Sequence, residues 1–71
     1  MILMFITGIK RTNETITLHT TTKIISFDLY KSDTPHIIIS ELVSEGFTIL
    51  NLDYLEKILK IVLYTRFNSI F

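Results

Sequence analysis

The sequence predicts a small α+β domain, and three observations carry that prediction. Short runs rich in β-branched and aromatic residues fill the first thirty positions, two later segments repeat apolar residues at helical spacing, and cap or turn residues stand at the ends of those segments. The expected order is β-β-β-α-β-α: a four-stranded, mostly antiparallel sheet with both helices on one face. A β-meander followed by one C-terminal helix is the alternative the residues leave open. Seventy-one residues make one domain, 1–71.

Ile2 to Ile9 is a continuous apolar run, too short for a typical helix, and reads as a strand buried on both faces. Gly8 marks its end or a bulge. After the polar turn "KRTNE", Thr15 to His19 alternates, with Ile16 and Leu18 on one side. Lys23 to Tyr30 alternates more clearly: Ile25, Phe27 and Leu29 share one face, and Ile24, Ser26, Asp28 and Tyr30 the other. The intervening "TTT" lacks Gly or Asn, so its turn type stays open, as does a bent continuous strand.

The segment "DTPHIIISELVSEGF" decides the fold class. Its three isoleucines favour a strand, but Glu41 falls in parity with Ile37, Ile39 and Val43, which breaks the alternation. Helical spacing fits better: Pro35, Ile38, Ile39, Leu42 and Val43 form one stripe. Thr34 can cap, Pro35 suits the first helical position, and Gly46 suits a left-handed residue past the end. The β-branched residues each cost a few tenths of a kcal/mol, roughly, and the pattern and caps outweigh them. Ile37 lies outside the stripe. Phe47 to Leu52 reads as the fourth strand. "DYLE" resembles a capping box led by Asp53, and Leu55, Ile58, Leu59, Val62 and Leu63 repeat the stripe over about Tyr54 to Arg66. The tail "FNSIF" is expected to fray unless Phe67 and Phe71 dock on the core or a partner.

Bulk properties narrow the function classes. The formal net charge is zero, from seven basic and seven acidic residues, so strong attraction to nucleic acid or anionic membrane is not expected. The charges are unevenly placed: residues 32–56 hold Asp33, Glu41, Glu45, Asp53 and Glu56 with no Lys or Arg. With no cysteine, disulfides and thiolate metal sites are excluded, and a cytoplasmic protein is expected. The N-terminal run lacks a basic flank and a cleavage site and is too short to cross a bilayer, so no membrane association is expected. Apolar residues make up 48% of the chain, more than a small interior holds, so part of them should form an exposed patch of the kind found at interfaces.

Chemical motifs are sparse. His19 and His36 have no metal-ligand spacing. Gly8 and Gly46 cannot make a phosphate loop, and no nucleophile elbow occurs. No cofactor, metal, catalytic residue or small-molecule substrate is therefore expected. Glu41 and Glu45, four apart, share a helix face and read as a solvated acidic surface. The stretches "TLHTTTKIISFDLY" and "GFTILNLDYLEKI" together resemble parts of the LytTR-type DNA-binding domain of bacterial response regulators, over Thr17 to Ile58. The resemblance implies DNA binding, but the basic stretch that follows the family's phenylalanine is absent after Phe47, the chain then enters a helix where the family continues in strands, and no functional residue carries over.

The reading that results is a non-enzymatic protein-binding regulator or inhibitor, of the kind phages and mobile elements encode, acting by occlusion through an apolar and acidic surface. Its candidate contacts are Tyr30, Asp33, Ile37, Glu41 and Glu45, and the partner is another protein, itself as a homodimer, or both. The alternative is a small dimeric DNA-binding transcriptional regulator using Lys10, Arg11, Lys23 and Lys31.

Overall fold

The first apolar run folds as two strands, β1 (Ile2–Met4) and β2 (Ile6–Arg11), with a break at Phe5. The computed structural model describes every residue except Met1, Ser32 and Arg66. β2 pairs antiparallel with β3 (Thr15–Thr20), which pairs antiparallel with β4 (Ile24–Asp28). Helix α1 (Pro35–Ser44) follows, then β5 (Phe47–Ile49), helix α2 (Leu52–Tyr64) and β6 (Ser69–Ile70). The four-stranded antiparallel sheet has the order β4-β3-β2-β6, and β1 and β5 form a separate parallel pair. The fold is a small α+β one, as expected, but the fourth strand of the main sheet is the tail and not Phe47–Leu52.

The run is not buried on both faces. Met4, Ile6 and Ile9 are buried, whereas Ile2, Leu3, Phe5 and Thr7 are exposed. The helices pack on one side, on the core formed by Ile9, Ile16, Leu18, Ile38, Leu42, Leu55, Leu59 and Val62. A register shift between Ile6 and Gly8 bends the strand there, so that β1 faces β5 while β2 faces β3. At the bend the ladder is completed by a side chain: Ile6 N–H donates to Asn51 Oδ1 at 2.9 Å, and Asn51 Nδ2 donates to Ile6 O at 2.8 Å.

Both hairpin turns of the main sheet use threonine in place of glycine. Thr20 Oγ1 accepts from Lys23 N–H at 2.9 Å and donates to Lys23 O at 2.7 Å, closing a tight turn where a bent continuous strand was the other possibility. Thr12 Oγ1 accepts from Thr15 N–H at 3.0 Å and serves the β2–β3 turn in the same way.

The "DTPHIII" segment is a helix. Ile37 N–H donates to the Thr34 cap at 3.3 Å, Pro35 opens the first turn, and Gly46 takes φ +93° just past the C-cap Glu45. The buried stripe is narrower than the spacing predicts. Pro35, Ile38 and Leu42 are buried and Ile39 half-buried, but Val43 is 59% exposed. α1 lies against α2 and β5, and Val43, in the last turn, stays largely in solvent. Ile37 is half-buried.

α2 starts earlier than expected, at Leu52, and its N-cap position is Asn51, not Asp53. Asn51 makes no side-chain cap bond because its amide is committed to Ile6. Asp53 sits in the first turn, where its charge suits the helix dipole. Leu55, Ile58, Leu59 and Val62 are buried, as their spacing predicts; the expected end at Arg66 lies outside the described residues. No helix among the described residues is long and apolar enough to cross a membrane.

The tail docks. Ile70 pairs with Ile9 and is half-buried against the core, and the Phe71 ring meets His19 edge-on at 4.8 Å. Gly8 makes this possible: a Cβ there would lie 2.7 Å from Ile70 O and would strike the Phe71 ring. Gly8→Ala should therefore displace β6 at a cost of about 1–3 kcal/mol, the usual range for overpacking. Hydrogen exchange at the Arg11 amide, which donates to Asn68 O, checks this: the amide should lose protection while those of α2 keep theirs.

Candidate functional site

Two surfaces stand out, one at each end of the long β1–β2 strand. The first is apolar. Leu3 pairs in register with Thr48, and Phe5 and Leu50 follow two residues on, so these four side chains share the outer face of the β1–β5 pair. Leu3 is 56%, Phe5 47% and Leu50 59% exposed. The Asn51–Ile6 bonds bring the start of α2 beside Phe5, and Phe5, Ile6, Thr7, Asn51 and Tyr54 line a shallow depression of about 450 Å³. Two acidic residues are exposed near these elements in sequence. Asp53 is exposed beside Tyr54, and Glu45 is exposed just ahead of β5, where Gly46 O accepts from Ile2 N–H. On the inner side, Lys23 Nζ lies 4.3 Å from the centre of the Phe47 ring, a cation–π contact that ties the β3–β4 turn to β5.

The second surface is a polar cleft of about 400 Å³ where the β2–β3 turn, the β4–α1 loop and the end of α2 meet. Arg11, Asn13, Leu29, Tyr30, Asp33 and Leu63 line it. Arg11 has the parity of Ile9 and so projects from the helix-covered face, where its Nη1 donates to Val62 O at 2.9 Å and Leu63 O at 3.3 Å. A cation is thus held at the negative end of the α2 dipole.

No family model matches this chain, and no curated protein and no solved structure matches it.

The residues singled out from sequence separate into groups. Tyr30 and Asp33 come together in the cleft, and Arg11, expected in a different role, joins them. Ile37 and Glu41 are half-buried on α1, and Glu45 is exposed at its C-cap. The basic set does not share a face. Lys10 and Arg11 are neighbours on β2 and point to opposite sides, Lys23 reaches toward Phe47 at the far end of the strand, and Lys31 is exposed in the turn after β4. Exposed Ile24 and half-buried Thr15 and Thr17 lie on the sheet face opposite the helices, with Tyr30 86% exposed just beyond. Of the histidines, His19 packs on Phe71 and His36 is exposed; among the described residues no three His, Asp or Glu side chains gather as a metal site would require.

Leu3, Phe5, Leu50 and Tyr54 went unread as a surface. Both parities of the first run are apolar, so periodicity cannot tell its inner face from its outer one. The usable signal was the apolar excess itself.

Proposed function

We propose that this chain is a non-enzymatic protein-binding regulator that acts by occluding a partner protein through the outer face of the β1–β5 pair. The observation that carries this reading is the continuous face of Leu3, Phe5 and Leu50 with Tyr54 beside it, each of them substantially exposed. Isolated apolar residues are common on any surface, but a contiguous apolar patch that includes aromatic side chains is what interfaces present. Exposed Asp53, next to Tyr54 in sequence, and exposed Glu45, ahead of β5, favour a partner whose contact surface is basic around an apolar centre. The anchors would be Phe5 and Tyr54, because aromatic side chains contribute most where they fill a pocket.

A Leu3→Ser, Phe5→Ser, Leu50→Ser triple variant tests the reading. All three side chains are exposed, so the variant should keep the circular dichroism spectrum of the parent. Immobilised parent chain should retain one stoichiometric protein from a lysate of the source cells, and the triple variant should lose it. Equal retention by both chains, or DNA binding that weakens steeply with salt and is unaffected by the triple change, would sink the proposal.

A further inference from the structure

We propose that the cleft around Arg11 binds an organic carboxylate with an apolar body. Arg11 is half-buried, and its two bonds to the last carbonyls of α2 use only Nη1. These bonds hold the plane of the guanidinium fixed. Nη2 and Nε have no hydrogen-bond acceptor, and no carboxylate lies within ion-pair distance of Arg11, among the described residues. A guanidinium held in one plane, with unused N–H groups beside an open cleft, matches the two oxygens of a carboxylate. A partly desolvated cation also gains more from an anionic ligand than an exposed lysine does.

The other walls specify the rest of the ligand. Leu29 and Leu63 are half-buried and give the cleft an apolar side. Asn13 and Tyr30 add an amide and a hydroxyl whose side chains make no hydrogen bond within the protein, among the described residues. Asp33, an exposed residue of the lining, accepts a donor from the ligand and repels additional negative charge. A single carboxylate with an apolar group and an N–H is therefore favoured over a phosphate dianion. The cleft volume of about 400 Å³ is in the range of small-ligand sites. Two sources supply this chemistry: a small free N-acylated amino acid, and the C-terminal residue of a peptide. The cleft is at the opposite end of the β1–β2 strand from the apolar face, so this inference does not rest on the proposed function.

Titration followed by amide NMR shifts on the full chain tests it. N-acetyl-leucine should move the Arg11, Asn13, Leu29 and Tyr30 signals saturably, and N-acetyl-leucinamide, which lacks the carboxylate, should bind about tenfold more weakly or worse. Arg11→Lys keeps the charge but loses the planar fork and should weaken binding by about tenfold. Because Arg11 also braces α2, the exposed positions serve as a second check: Asn13→Ala and Tyr30→Ala should each weaken binding by about threefold or more without changing thermal stability. A leucine-ended peptide that binds more tightly than N-acetyl-leucine identifies the peptide source, and equal binding identifies the free acid. No saturable shift up to about 10 mM ligand, the weak limit of useful affinity, would overturn the proposal, as would equal binding of the amide or tighter binding of inorganic phosphate.

Discussion

Asn51→Ala should destabilise the domain by about 2–4 kcal/mol, because it leaves both the N–H and the C=O of Ile6 without a partner at the bend between β1 and β2. Ile6 is 1% exposed, so water does not readily replace the lost amide. A chain of 71 residues has a total stability of roughly 4–10 kcal/mol, so the loss is a large fraction of it. The midpoint of thermal unfolding should fall by about 10–20 °C. Asn51→Asp separates this role from simple helix capping. Asp is as good an N-cap as Asn, so if capping were the role of Asn51 the change would be neutral. A carboxylate can still accept from Ile6 N–H, but it turns a second oxygen toward Ile6 O in place of a donor. Asn51→Asp should therefore cost about as much as Asn51→Ala at neutral pH, since the lost donor faces a buried acceptor. Urea unfolding followed by circular dichroism measures both variants, and a neutral Asn51→Asp result would remove the strand-completing role.

The second large effect separates two neighbours on α1. Leu42 is 0% exposed and Val43 59% exposed, although both belong to the stripe that the spacing predicts. Leu42→Ala should cost about 2–5 kcal/mol, from lost apolar burial and the cavity left behind. Val43→Ala should change stability by less than about 0.5 kcal/mol, because little of its surface leaves water on folding and alanine is the better helix former. The same urea experiment reads both changes. Equal costs at the two positions would mean that α1 is rotated about its axis relative to its place here.

The local rules read this chain well where one segment answers to one neighbour. Thr34, Pro35 and Gly46 marked the limits of α1 to within a residue, because a cap is a contact between residues three or four apart. The stripe of Leu55, Ile58, Leu59 and Val62 was legible because α2 buries a single face. The same rules failed at Asp53 and Asn51. Both are good N-caps, yet Asn51 takes the N-cap position with its amide bonded not to the helix but to Ile6, 45 residues away. They failed again at the first run, whose two parities are equally apolar, so that Phe5 and Leu3 read as core. Tyr30 and Asp33 were named from sequence as contacts, yet nothing local linked them to Arg11. Their meeting depends on where the β4–α1 loop and the end of α2 come to rest.

The amino-acid sequence by itself therefore pointed to a small α+β domain, favoured helices for both apolar stripes while leaving a strand open at the first, and carried more apolar residues than a small interior holds. Those properties follow from periodicity, caps and composition, all of which act over a few residues or over the whole chain. Only the tertiary structure decided that β1 leaves the main sheet to pair with β5, that the tail takes the vacant edge of β2, and which apolar side chains remain outside. Each of these is a choice of partner between segments far apart in sequence. Such a choice is set by the competition of whole surfaces for burial and of backbone groups for hydrogen bonds. The amide of Asn51 is one small polar group on which that competition turns.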